Sequence, residues 1–94
     1  MKTIKVVSVV PEYVDIIPFP EVMRDGVIYV SPQYEVASHL CLCGCGSEVV
    51  TPLGIGGWVL SGDREVISLS PSVGNYNLPC KSHYIITKNK ANFV

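Results

Sequence analysis

His39-Leu40-Cys41-Leu42-Cys43-Gly44-Cys45-Gly46 is the run on which the reading of this chain turns. It places three of the four cysteines at every second position. The fourth stands in Cys80-Lys81-Ser82-His83. Soft ligands in two short runs, closing a long stretch of chain between them, are how a small domain builds a zinc site. Gly44 and Gly46 permit positive φ, so the first run can curl and aim its thiolates at one point. The stretch between the runs has room for a β-meander. The layout is Rieske-like: a ligand loop, a meander, and a second loop.

Cys41, Cys43, Cys45 and Cys80 would fill a closed tetrahedral site. A competing set takes two of the first three with Cys80 and His83, because Cys-x-x-His is an ordinary ligand spacing. A Rieske iron–sulfur centre shares the two-loop, all-β layout. Its chemistry asks for Cys-x-His in the first loop. Here that loop reads Cys-x-Cys, and His39 precedes it. A closed four-ligand zinc is structural, so the metal alone does not imply an enzyme.

The chain has 94 residues, which sets the expectation of one zinc-binding β domain over 1–94. At that size a core is marginal and a metal staple helps. Hydrophobic residues make up 48% and the formal net charge is −1, as in a folded protein rather than a disordered one. With the basic residues scattered, no stripe is available to neutralise phosphates, so a nucleic-acid partner is not expected. No apolar run approaches the roughly 20 residues of a membrane helix, and the start lacks a secretory pattern. The expected compartment is the cytoplasm, where clustered cysteines bind metal rather than pair as disulfides.

Most of the chain reads as short strands. Thr3 to Val10 is β-branched and stops at Pro11; Glu12 to Pro20 reads as extended edge or loop. Val27 to Val30 is a strand. Tyr34 to Leu40 reads as a strand or one short helical turn. Glu48 to Thr51, Trp58 to Leu60 and Glu65 to Leu69 follow, the last two joined by the turn Ser61-Gly62-Asp63-Arg64. Ser70 to Pro79 reads as a long loop, Lys81 to Thr87 as a strand, and Ala91 to Val94 as a last one. With no sustained helical period, the expected fold is all-β, a small zinc-stapled sandwich or open barrel with Trp58 in its core.

Three side chains are candidates for chemistry. His83, at a rigid strand start, can act as a general base if it is not a ligand. Ser72 can reach it through the preceding loop as a nucleophile, with Gly74 and Asn75 supplying donors for an oxyanion. Ser82 is placed less well, because neighbours on a strand point to opposite faces.

Several stretches together resemble the BubE family: His39 to Gly46, Val49-Val50-Thr51-Pro52-Leu53, Trp58, Ile67 to Asn75, and Cys80 to Ile86. BubE proteins are small zinc-binding proteins of bacterial ubiquitin-like conjugation operons. The resemblance covers roughly residues 26 to 94. The cysteine run is also similar to the C-x-C-G-S-G zinc motif of the SecA tail, a parallel that favours Cys41, Cys43, Cys80 and His83 as ligands. The family resemblance implies a serine peptidase that trims or removes a ubiquitin-like protein, and it carries Ser72, Ser82 and His83 over as site residues. If His83 binds zinc, His39 has to serve as base. The alternative from another class is a non-catalytic, zinc-stapled module that binds a ubiquitin-like protein or another partner.

Overall fold

The computed structural model describes residues 5–75 and 78–94. Thr3 and Ile4, in the first expected strand, and Tyr76 and Asn77, in the expected long loop, lie outside these. Nine strands form two sheets. They are β1 (Val6–Ser8), β2 (Val10–Tyr13), β3 (Val27–Ser31), β4 (Val36–Leu40), β5 (Glu48–Pro52), β6 (Val59–Gly62), β7 (Ile67–Gly74), β8 (His83–Thr87) and β9 (Lys90–Phe93). One sheet has the order β1-β9-β8-β7-β6 and the other β2-β3-β4-β5. Neither sheet closes on itself, so the all-β expectation is met by an open two-sheet arrangement. Among the described residues, the one helical element is a 3-10 turn at Pro20–Val22. No helix among the described residues is long and apolar enough to cross a membrane.

The two sheets bury a shared core. Val9, Ile28, Val30 and Val49 meet Ile67, Leu69, Val73, Tyr84 and Ile86 there. The strands facing it alternate as a half-buried strand must, most plainly in β8, where Tyr84 and Ile86 are buried and Ile85 and Thr87 exposed. Fully burying one such aliphatic side chain is worth about 1.5–3 kcal/mol. β3 is buried at every position. Its back face is covered by Met23, Val14 and Ile17 packing on Val27 and Tyr29. The N-terminal segment therefore caps the four-stranded sheet.

Two expectations change. The strand read over Thr3 to Val10 divides at Val9, and its halves join different sheets. Pro11 does not stop it. β2 is an edge strand along which the N–H groups of Val10 and, just past its end, Val14 donate to Gly26 O and Val30 O on the β3 side, so the proline nitrogen points away from the ladder. The second change matters for the site. β7 runs on through Ser70, Pro71, Ser72 and Val73 to Gly74, with an irregular register against β8 between Leu69 and Val73. Ser72 therefore sits on a strand, not in a loop. Tyr34 to Leu40 resolves as strand, and Trp58 is half-buried against the core rather than inside it.

Candidate functional site

β4 and β5 form a hairpin whose ladder ends at Leu40↔Glu48. The connection between them carries Cys41, Cys43 and Cys45. It curls because Gly44 N–H donates to Cys41 O at 3.1 Å and Cys41 N–H to Ser47 O at 2.7 Å. Gly44 and Gly46 take φ of 92° and 83°, values that side chains rarely adopt. A second turn, closed by Lys81 N–H to Leu78 O at 3.1 Å, brings Cys80 to the same place.

The four sulfurs lie within 4.8 Å of one another. Cys41 Sγ is 3.4 Å from Cys43 Sγ and 3.7 Å from Cys80 Sγ, and Cys45 Sγ is 3.8 Å from Cys80 Sγ. Four sulfurs at the usual zinc–sulfur length would stand about 3.8 Å apart at the corners of a tetrahedron. The four cysteines are thus close enough to hold one metal ion. The thiols differ before any metal enters. Backbone and hydroxyl hydrogen bonds from Ser47 bring Cys45 down to about 6, whereas desolvation and crowding by the neighbouring thiols push Cys43 up to about 12.

Neither histidine joins the sulfur cluster. His39 is fully buried, and its Nε2 lies 2.7 Å from Tyr84 OH. Burial lowers its pKa to about 4, so it is a neutral imidazole near neutral pH. It is not beside Ser72, which removes it as the alternative base. His83 Nε2 lies 2.7 Å from Ser72 Oγ. The ligand sets that use a histidine, the Rieske pair included, therefore lack their imidazoles at the sulfurs.

The alternation along β8 sorts the remaining groups. Tyr84 faces inward, and Ser82, just before the strand, lies on the same side. Ser82 Oγ is 3.1 Å from Cys41 Sγ and 3.4 Å from Cys80 Sγ. Asn75 Nδ2 donates to Ser82 Oγ at 3.0 Å, and its contacts to Tyr84 OH and Cys41 Sγ are 3.4 and 3.6 Å. Its oxygen accepts from Asn75, and its hydroxyl is within hydrogen-bond reach of both thiols, where either partner can donate. Burial raises the pKa of the Tyr84 phenol, so it stays protonated and can donate. The buried set His39, Tyr84, Asn75 and Ser82 is thus a hydrogen-bonded backing for Cys41.

His83 faces the other way, onto the outer side of the five-stranded sheet. It pairs in register with Gly74, which has no side chain to obstruct the ring. The imidazole can cross that position diagonally to Ser72. Both side chains are half-buried. A hydroxyl within hydrogen-bond reach of an imidazole is the starting geometry for a histidine-activated nucleophile.

Of the residues named from the sequence, the four cysteines come together, and so do Ser72 and His83. Ser82 does not join His83; it is held at the sulfurs. Asn75 does not stand as an oxyanion donor either. Its N–H is committed to Ser82 O at 2.8 Å, and its amide faces the buried network. Sequence reading missed Tyr84 as a polar member of the site, although its place one residue after His83 puts it on the opposite, inner face.

The comparison with curated proteins and the comparison with solved structures each return no match. A family model does match, that of BubE, described as the serine protease of a bacterial ubiquitination-like system. The match runs over residues 13–94, further toward the N-terminus than the motifs alone reach, and takes in both cysteine loops, β7 and β8. On that span, the chain belongs to the BubE family.

Proposed function

We propose that this protein is a serine peptidase that hydrolyses a peptide or isopeptide bond at the end of a ubiquitin-like protein. Ser72 is the nucleophile, His83 the base, and a zinc ion on Cys41, Cys43, Cys45 and Cys80 is structural. The observation that carries the reading is the 2.7 Å approach of His83 Nε2 to Ser72 Oγ, which stands beside the family's description as a serine protease.

In this reading Ser72 Oγ attacks the scissile carbonyl carbon and its proton passes to His83 Nε2. The same imidazole then gives that proton to the leaving amine as the carbon–nitrogen bond breaks. Water, deprotonated in turn by His83, attacks the acyl ester, and the imidazole gives that proton to Ser72 Oγ as the ester carbon–oxygen bond breaks. Zinc held by the four cysteines would tie the β4–β5 connection to the turn before β8, and with them the start of the strand that carries His83.

The test is cleavage of a linear fusion of the ubiquitin-like protein by the wild-type chain, Ser72→Ala and Ser82→Ala. Loss in the first variant alone supports the assignment. Full activity of Ser72→Ala sinks it and leaves a binding module.

A further inference from the structure

β6 accompanies only the first half of β7. Their ladder runs from Gly62↔Ile67 to Val59↔Ser70 and stops there. Beyond it the chain leaves at Trp58, whose N–H is given to Pro52 O at 2.8 Å. The second half of β7 is therefore an open sheet edge among the described residues.

The hydrogen bonding next to Gly74 shows which way that edge points. Asn75 N–H donates across to Ser82 O at 2.8 Å, and His83 O accepts from Val94 N–H on its far side at 3.0 Å. Gly74 and His83 are thus a register pair that does not exchange hydrogen bonds. The N–H and C=O of Gly74 point away from β8, toward the side β6 has vacated. Gly74 is exposed, so these groups are reachable.

A cleft of about 230 Å³ opens on that side, lined by Gly74, Val73, Leu78, Trp58, Val50 and Glu48 among others. Trp58 forms part of its wall, beside the backbone edge of Gly74. An unpaired strand edge beside a cleft matches the alternating carbonyls and N–H groups of an extended peptide.

We propose that this cleft takes the C-terminal tail of the ubiquitin-like protein as an extended strand added to the open edge of β7. The tail pairs with the Gly74 backbone and packs against Trp58. This deepens the peptidase reading and rests on it for the identity of the tail. A strand added in the plane of the sheet turns the flat face of its peptide groups toward the outer side, where Ser72 and His83 stand. That is the direction from which a nucleophile meets a carbonyl carbon.

The test uses the full chain carrying Ser72→Ala, so that nothing turns over. The probe is a synthetic octapeptide, blocked at both ends, that copies the last residues of the ubiquitin-like protein. At saturating peptide, exchange of the Gly74 amide hydrogen should slow by about tenfold or more. N-methylation of the peptide should abolish binding at alternate amides only, the period of a paired strand. Trp58→Leu shrinks that wall, and should weaken binding about threefold to tenfold. No binding, unchanged Gly74 exchange, tolerance of N-methylation at every amide, or undiminished binding by Trp58→Leu would each overturn the proposal. Cleavage of the fusion by the wild-type chain is scored separately. Cleavage without Gly74 protection rejects the docking mode alone, and Gly74 protection without cleavage rejects the peptidase alone.

Discussion

Ser82 and His83 are neighbours in sequence whose side chains act on opposite sides of the five-stranded sheet. Ser82 Oγ lies 3.1 Å from Cys41 Sγ, and His83 Nε2 lies 2.7 Å from Ser72 Oγ. The two serines should therefore separate cleanly. Ser72→Ala is expected to lower turnover by about a thousandfold or more while leaving the thermal midpoint nearly unchanged. Ser82→Ala is expected to keep most of the turnover and cost about 1–3 kcal/mol of stability, since Asn75 Nδ2 and the Cys41 sulfur lose a buried partner. Parallel kinetics and urea denaturation of the two variants check both halves.

The metal prediction concerns folding rather than chemistry. Treatment with a chelator, or the substitution Cys80→Ser, should lower the thermal midpoint by more than about 10 °C. Activity should fall along with the folded fraction, and zinc added back after chelation should restore both. Calorimetry with elemental analysis follows this. A metal-free protein that stays folded and fully active would contradict a structural role.

Tyr84 links the two sheets by its ring and its hydroxyl. The side chain is fully buried, with the hydroxyl 2.7 Å from His39 Nε2. Tyr84→Phe keeps the ring and strands that imidazole nitrogen, whose other ring nitrogen already has no partner. The expected cost is about 1–3 kcal/mol in chemical denaturation, with the sulfur cluster still able to bind metal.

The particular residues show what could be read in advance. Cys41, Cys43, Cys45 and Cys80 announced their meeting because the glycines between and after them leave few other reasons for the spacing. Ser72 and His83 could be paired on chemistry, but not by the right route. Ser70, Pro71, Ser72 and Gly74 are turn-forming types, and cross-strand pairing, of Ser70 with β6 and of Gly74 with β8, makes this stretch strand. The parallel pairing of β2 with β3 was equally invisible, because nothing in Val10-Pro11-Glu12-Tyr13 tells which neighbour an edge strand takes. In the sequence Asn75 reads as a free donor, because local sequence does not reveal that Ser82 stands opposite it.

Asp63 gives a pH test in the β6–β7 turn, remote in sequence from both sets of site residues. Its Oδ1 accepts the N–H groups of Glu65 and Val66, each at 2.8 Å. Those backbone hydrogen bonds, Val66 foremost, hold its pKa below the ordinary 3.8. The folded carboxyl thus gives up its proton at lower pH than the unfolded one. Its contribution is complete above about 3.8 and disappears as pH falls through the folded value. Asp63→Asn should lie below wild type in thermal midpoint near neutral pH, and the gap should close on acidification past that point. A gap that is independent of pH would contradict this.

The most direct test of the central claim is intact-mass and peptide mapping after exposure to a fluorophosphonate, which needs no knowledge of the substrate. The account predicts one adduct, on Ser72, whose formation is abolished in Ser72→Ala, strongly slowed in His83→Ala and retained in Ser82→Ala. An adduct on Ser82, or a folded, zinc-loaded protein that takes no adduct at all, would contradict it.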